Sequence, residues 1–140
     1  MKKILIPVDG SEYSSHAIAK GRELADAFNS EVIILNVVPS NITTARRIHF
    51  DAHDTVDEFR AASENVLKKA KKQFGKYAGK IKTVSVDGDA AVAIVDYAEE
   101  NGCDLIIMGT RGVGGLKGLL MGSQIQKVIS LSDIPVLAVK

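Results

Sequence analysis

A single cysteine, Cys103, stands in the 140-residue chain. No internal disulfide can form, and a reducing compartment, the cytoplasm, is the expectation. Neither charge is in excess: 18 Lys and Arg oppose 17 Asp and Glu, a formal charge of +1. Such a balance gives no electrostatic reason to expect nucleic acid or an anionic membrane as the main partner. Long apolar runs are missing too, and nothing approaches the roughly 18 residues that cross a bilayer. Met1-Lys2-Lys3 before Ile4-Leu5-Ile6 has the look of a signal peptide, but Pro7 and Asp9 cut that run too short. There is no internal repeat, linker or low-complexity tract. With 46% hydrophobic residues the chain is neither disordered nor fibrous, and its length suits one domain spanning residues 1–140.

What is present alternates. Lys3 to Val8 is a branched apolar run ended by the turn Asp9-Gly10-Ser11, as expected of a strand buried on both faces. Ser11 can cap a helix whose apolar positions Tyr13, Ala17, Leu24, Ala25 and Phe28 follow the helical period, closed by Asn29-Ser30. Val32 to Val38 is a second strand, interrupted only by Asn36 and stopped by Pro39. Residues 40–54 show no period and form the longest loop-like stretch. Thr55-Val56-Asp57-Glu58 has the form of a capping box. It opens a helix with Val56, Phe59, Ser63, Val66, Leu67, Ala70 and Phe74 on one stripe and Gly75 at the C-cap. Ile81 to Val86 is a third strand. Asp87-Gly88-Asp89 leads into a helix carrying Ala91, Ile94, Val95 and Ala98 on one face. Leu105 to Met108 is a fourth strand, Ser123 to Ser130 a short helix, and Pro135 to Val139 a fifth strand. Strands alternating with helices predict a parallel, doubly wound α/β sheet with right-handed crossovers. In such sheets ligands sit beyond the carboxyl ends of the strands, where strand order reverses.

The densest chemical signal is residues 109–123, which hold six of the 12 glycines. This loop leaves the carboxyl end of a buried strand and enters a helix. Glycines there let backbone N–H groups approach a ligand, and a helix N-terminus attracts phosphate. Ser123-Gln124-Ile125-Gln126 also fits a capping box that needs no ligand. Six glycines exceed what a turn requires, which favours the phosphate reading. Neither the P-loop spacing nor the dinucleotide fingerprint G-x-G-x-x-G occurs.

Gly109-x2-Gly112-x9-Gly122-Ser123 matches the ATP-binding pattern G-x2-G-x9-G-[ST] of the universal stress protein family. Ile4 to Glu12, Val37-Val38-Pro39, Asp104 to Gly112 and Pro135 to Val139 resemble that family's strands and loops as well, so the resemblance covers essentially the whole chain. It implies a flavodoxin-like, five-stranded sheet in the order 3-2-1-4-5, related to the adenine-nucleotide-hydrolase arrangement. It further implies a homodimer through the last strand, ATP as ligand, and Mg²⁺ held through the phosphates. Carried over by position, the cofactor contacts are Pro7, Val8, Asp9, Val37, Met108, Gly109, Arg111, Gly112, Gly122, Ser123, Gln124 and Ile125. Asp9 would face the ribose or metal region, Val37 would offer its backbone to the adenine, and Met108 would line the base pocket. The glycines and Ser123 would hold ribose and phosphates. The family often continues G-S-V-[ST]; here Ile125 stands at the second hydroxyl position and cannot donate that hydrogen bond.

The leading expectation is an ATP-dependent switch in a stress response. A slow Mg-dependent ATPase using Asp9 and Arg111 is the enzymatic rival. A dimeric interaction protein that binds AMP, a cyclic nucleotide or nothing is the third. Other candidates have plainer uses. Asp9 could cap the helix with Ser11, and Arg111 and Lys117 could neutralise phosphate or be solvated, Arg111 having the stronger case because it lies inside the motif. His49 and His53, near Asp51 and Asp54, suit a surface loop better than a metal site. Lys68, Lys69, Lys71, Lys72 and Lys76 suit a solvated helix end, and Cys103 an inert thiol.

Overall fold

A computed structural model describes residues 1–40, 56–111 and 121–140. Its elements are β1 (Lys3–Pro7), α1 (Glu12–Phe28), β2 (Glu31–Pro39), α2 (Val56–Phe74), β3 (Ile81–Gly88), α3 (Ala90–Glu100), β4 (Leu105–Gly109), α4 (Ser123–Leu131) and β5 (Val136–Val139). The strands form one sheet in the order β3-β2-β1-β4-β5, and every pairing is parallel. Both the order and the winding agree with the expectation. The strand ends differ by one or two residues. β3 runs on to Gly88 because its register with β2 continues through Val38↔Asp87 and Pro39↔Gly88.

The unbroken apolar runs follow from burial on both faces. Ile4, Ile6, Val32, Ile34, Leu105 and Ile107 pack with Ala17, Ile18, Leu67 and Phe74, beneath α1 and α2. Leu5, Ile33, Leu35, Ile106 and Met108 pack on the other face with Ala91, Ile94, Val95, Ile125 and Val128, beneath α3 and α4. The edge strands β3 and β5 are less buried.

Local signals mostly act as their residue types predict. Ser11 caps α1 by accepting from the Ser14 N–H at 3.2 Å. Asn29 ends it in the left-handed region at φ 52°. Asp89 caps α3, and the Gly75 N–H closes α2 onto the Lys71 carbonyl at 3.2 Å. The lysines of α2 lie exposed, opposite Leu67, Ala70 and Phe74, as a solvated face. Thr55, and with it the capping box of α2, lies outside the described residues, as do residues 41–54. The capping box at Ser123 is a correction: Gly122 is the N-cap of α4, with no side-chain cap bond, and Ser123 is the first helical residue. The Gln126 side chain donates instead to the Met121 carbonyl at 3.1 Å.

One contact had no signal in the sequence. The Asp104 carboxylate accepts from the backbone N–H groups of Lys2 and Lys3 at 2.7 and 2.8 Å, latching the start of β1 to the start of β4. Those two hydrogen bonds hold its carboxyl below the ordinary value of 3.8. A carboxylate whose folded pKa is depressed contributes stability above its unfolded pKa and loses it as pH falls through the folded one. Asp104→Asn is therefore expected to flatten the fall in stability below about pH 4, measured by urea denaturation across pH. An unchanged acid limb would contradict the latch.

Candidate functional site

Strand order reverses between β1 and β4, the point at which a doubly wound parallel sheet opens a crevice beyond the carboxyl ends of its strands. Its β1 wall begins with Pro7 and Val8, both buried. Val8 continues the pairing just past β1: its N–H donates to the Leu35 carbonyl at 2.8 Å. Its own carbonyl accepts from the Asn36 side-chain amide at 2.7 Å. Asn36, legible in sequence only as a polar interruption of β2, thus braces the residue before Asp9. The Asp9 carboxylate accepts from the Ser11 N–H at 2.9 Å. Gly10 makes that turn possible, since its φ of +83° lies where a Cβ is disfavoured. Asp9 thus braces the turn that leads into the Ser11 cap and caps no N–H of the helix itself in this bond, and its carboxylate is exposed at the end of β1.

Backbone of β2 borders the crevice as well. Leu35 turns its carbonyl toward β1. Alternation along a strand turns the backbone groups of Val37 to the same side, past the point where β1 has ended. Val37, Met108 and Ile125 pack in one apolar cluster with Met121 at its margin. Met108 is 8% exposed and Ile125 only 2%, so these side chains belong to the core beneath the strand ends rather than to an open surface. Ile125 can reach a ligand only through its backbone N–H.

The β4 wall is built around a close approach. A Cβ on Gly109 would stand 2.7 Å from the backbone of Tyr13 in α1, so this glycine lets helix and strand meet. Thr110, buried, donates its N–H to the Val139 carbonyl of β5 at 2.8 Å. Its carbonyl accepts the Gly122 N–H at 2.6 Å. That bond ties the head of α4 to the end of β4 and closes the neck of the glycine loop. Arg111 leaves the neck toward α1 and lies over the Tyr13 ring. Gly112 and Lys117 lie outside the described residues.

The helix beyond the neck offers donors. The first backbone N–H used within α4 is that of Gln126, to the Gly122 carbonyl at 3.3 Å. The N–H groups of Ser123, Gln124 and Ile125 therefore have no partner inside the helix, and the positive end of its dipole lies with them. An anion of phosphate size is what such a terminus binds. Among the described residues no group of three His, Cys, Asp or Glu side chains is placed to hold a metal. Cys103 is buried, and burial raises its thiol pKa, which suits an inert side chain. His49 and His53 lie outside the described residues.

A sequence model described as the universal stress protein family matches residues 1–140. The chain belongs to the universal stress protein family. Universal stress protein MJ0531 of Methanocaldococcus jannaschii is 35% identical over 139 residues, covering 99% of this chain and 82% of that protein. The solved structure of MJ0577, from the same organism, superposes with a TM-score of 0.83 at 33% identity, covering 99% of this chain and 95% of that one. A universal stress protein solved in complex with cAMP superposes at 0.76 with 25% identity, covering 99% and 97%.

Within this universal stress protein fold, most residues nominated by the sequence lie at the carboxyl ends of the central strands or the head of α4: Pro7, Val8 and Asp9 at the end of β1, Val37 in β2, Met108 and Gly109 in β4, and Gly122, Ser123, Gln124 and Ile125 at the start of α4. Arg111 is set apart, on the α1 side. Asn36, Thr110 and Tyr13 were missed. Asn36 carried a usable signal, as the one polar residue in an otherwise apolar strand run. Thr110 and Tyr13 carried none, because their roles depend on contacts across 29 and 98 residues of sequence with Val139 and Arg111.

Proposed function

We propose that this universal stress protein binds an adenine nucleotide, ATP with Mg²⁺ on its phosphates, in the crevice between β1 and β4. One observation carries the reading: the α4 terminus, with three N–H groups unpartnered in the helix, is tied at the topological switch point by the Gly122–Thr110 hydrogen bond. The similar protein solved with cAMP supports the choice of an adenine nucleotide. Ser123, Gln124 and Ile125 would give backbone N–H groups to the phosphates, with Gly112 and Gly122 keeping the approach open. Val37 would offer its backbone to the base above the Met108 floor. Asp9 would face the ribose and the cation, which neutralises phosphate charge when bound.

Nucleotide binding would set the state of the protein, and a protein partner or the second subunit of a homodimer joined through the β5 edge would read that state. The chain would act as one unit, residues 1–140, in the cytoplasm, as a stress-response switch. Any ATP hydrolysis would be slow, since no lysine stands in the usual phosphate-loop position. No helix among the described residues is long and apolar enough to cross a membrane. A second reading, AMP or a cyclic nucleotide as ligand, is favoured by Ile125, whose buried side chain supplies no hydroxyl to a terminal phosphate.

Gly122→Val tests the loop neck. The backbone there is extended, at φ −71° and ψ 162°, so a side chain fits the local conformation while crowding the approach. Equilibrium dialysis with Mg-ATP should show affinity falling at least about tenfold, the worth of one charge-assisted hydrogen bond. Undiminished binding would move the phosphates away from this helix.

A further inference from the structure

Tyr13 meets the entry of the glycine loop at two points. Its backbone occupies the space that a side chain on Gly109 would need, 2.7 Å from an ideal Cβ. Its ring lies beneath Arg111, with the guanidinium carbon 5.7 Å from the ring centroid and Nη1 donating to the phenol oxygen at 3.4 Å. Leu105 and Ile107 turn to the α1 face, Gly109 does so too, and Arg111, two residues past the end of β4, lies on that same side. The Ile125 and Val128 side of α4 lies on the opposite face. Arg111 is thus held across the strand end from the phosphate-facing helix. The Tyr13 ring is itself braced: His16 meets it edge-on at 6.3 Å, and the His16 Nδ1 lies 2.9 Å from the Lys140 carbonyl oxygen.

We propose that Tyr13 is a positioning residue of the nucleotide site. It pins Arg111, so that the glycine loop departs from a fixed point on the α1 side while the Gly122–Thr110 hydrogen bond fixes its return. This rests on the nucleotide reading above. An unpinned arginine and loop entry would have to be ordered when the ligand binds, and that entropy weakens affinity. Tyr13 acts through Arg111.

The test is a double-mutant cycle read by titration with Mg-ATP. Tyr13→Leu is expected to weaken binding about fivefold, and Tyr13→Phe, which keeps the ring, about twofold. In an Arg111→Ala background neither substitution should weaken binding further, because the residue they act through is gone. In the ligand-free protein the Arg111 side-chain N–H resonance should carry a ring-current shift in wild type and Tyr13→Phe and lose it in Tyr13→Leu. General loosening of α1 would not reproduce that coupling. Equal losses in both backgrounds would overturn the positioning role while leaving the nucleotide site standing. No binding of Mg-ATP by wild type would overturn the nucleotide reading and this role together. Should Tyr13→Leu fail to fold, Tyr13→Phe closes the cycle, and a loss that persists without Arg111 sinks the proposal.

Discussion

Ile125→Ala is expected to lower the free energy of unfolding by about 3 kcal/mol, a typical cost for emptying an isoleucine site in a packed core. The side chain is 2% exposed and packs with Leu5, Leu35, Met108 and Val128 on the α3–α4 face. It joins the head of α4 to the sheet, beneath the N–H groups at the start of that helix. Substitution leaves its own backbone N–H in place. The expected signature is a large loss of stability in urea titration with nucleotide affinity reduced far less, when both are measured well below the unfolding midpoint. Ile125→Ser should cost more, since a hydroxyl would then be buried in that cluster. A change below about 1 kcal/mol for Ile125→Ala would contradict its place in the core.

Gly109→Ala is expected to destabilise by about 2 kcal/mol, the cost of forcing an extra carbon into a packed site. The new Cβ would stand 2.7 Å from the Tyr13 carbonyl carbon, oxygen and Cβ. Backbone in the first turn of a 17-residue helix cannot yield as a side-chain tip can. α1 would have to lift from β4, and Gly109→Val should be worse. Both effects should appear without any nucleotide, in thermal or urea unfolding of the free protein. If Gly109→Ala kept full stability and lost only nucleotide affinity, the glycine would belong to the ligand and the close helix–strand approach would be wrong.

These two positions show what the sequence could carry. The strands were legible because each central one is buried on both faces, which forces continuous apolar runs such as Ile4-Leu5-Ile6 and Leu105-Ile106-Ile107. The helix ends were legible where a side chain or a left-handed residue makes the cap, as at Ser11, Asn29, Gly75 and Asp89. At Ser123 the same logic misled, because S-x-x-Q is satisfied in composition while Gly122 holds the cap position and its N–H closes the loop neck.

The crevice was legible as a set of positions, less so as a set of roles. Gly109 reads as a phosphate glycine within its motif, yet its neighbour is Tyr13, 96 residues away along the chain. Ile125 reads as a missing hydroxyl, yet Val128, three residues on, marks the same apolar face of a helix, and that spacing was visible. Arg111 reads as a phosphate ligand, and its guanidinium lies over the Tyr13 ring, a contact across 98 residues of chain that no local pattern signals. The Asp104 latch joins residues about a hundred positions apart and has no local signature.

The most direct test of the account is calorimetric titration of nucleotide-free protein with Mg-ATP, repeated with ADP, AMP, cAMP and GTP. A dissociation constant on the order of micromolar is expected for Mg-ATP, with weaker binding of AMP and cAMP and none of GTP. Binding of AMP or cAMP as tight as ATP would keep the adenine site and contradict the triphosphate preference. No heat with any adenine nucleotide would contradict the central claim.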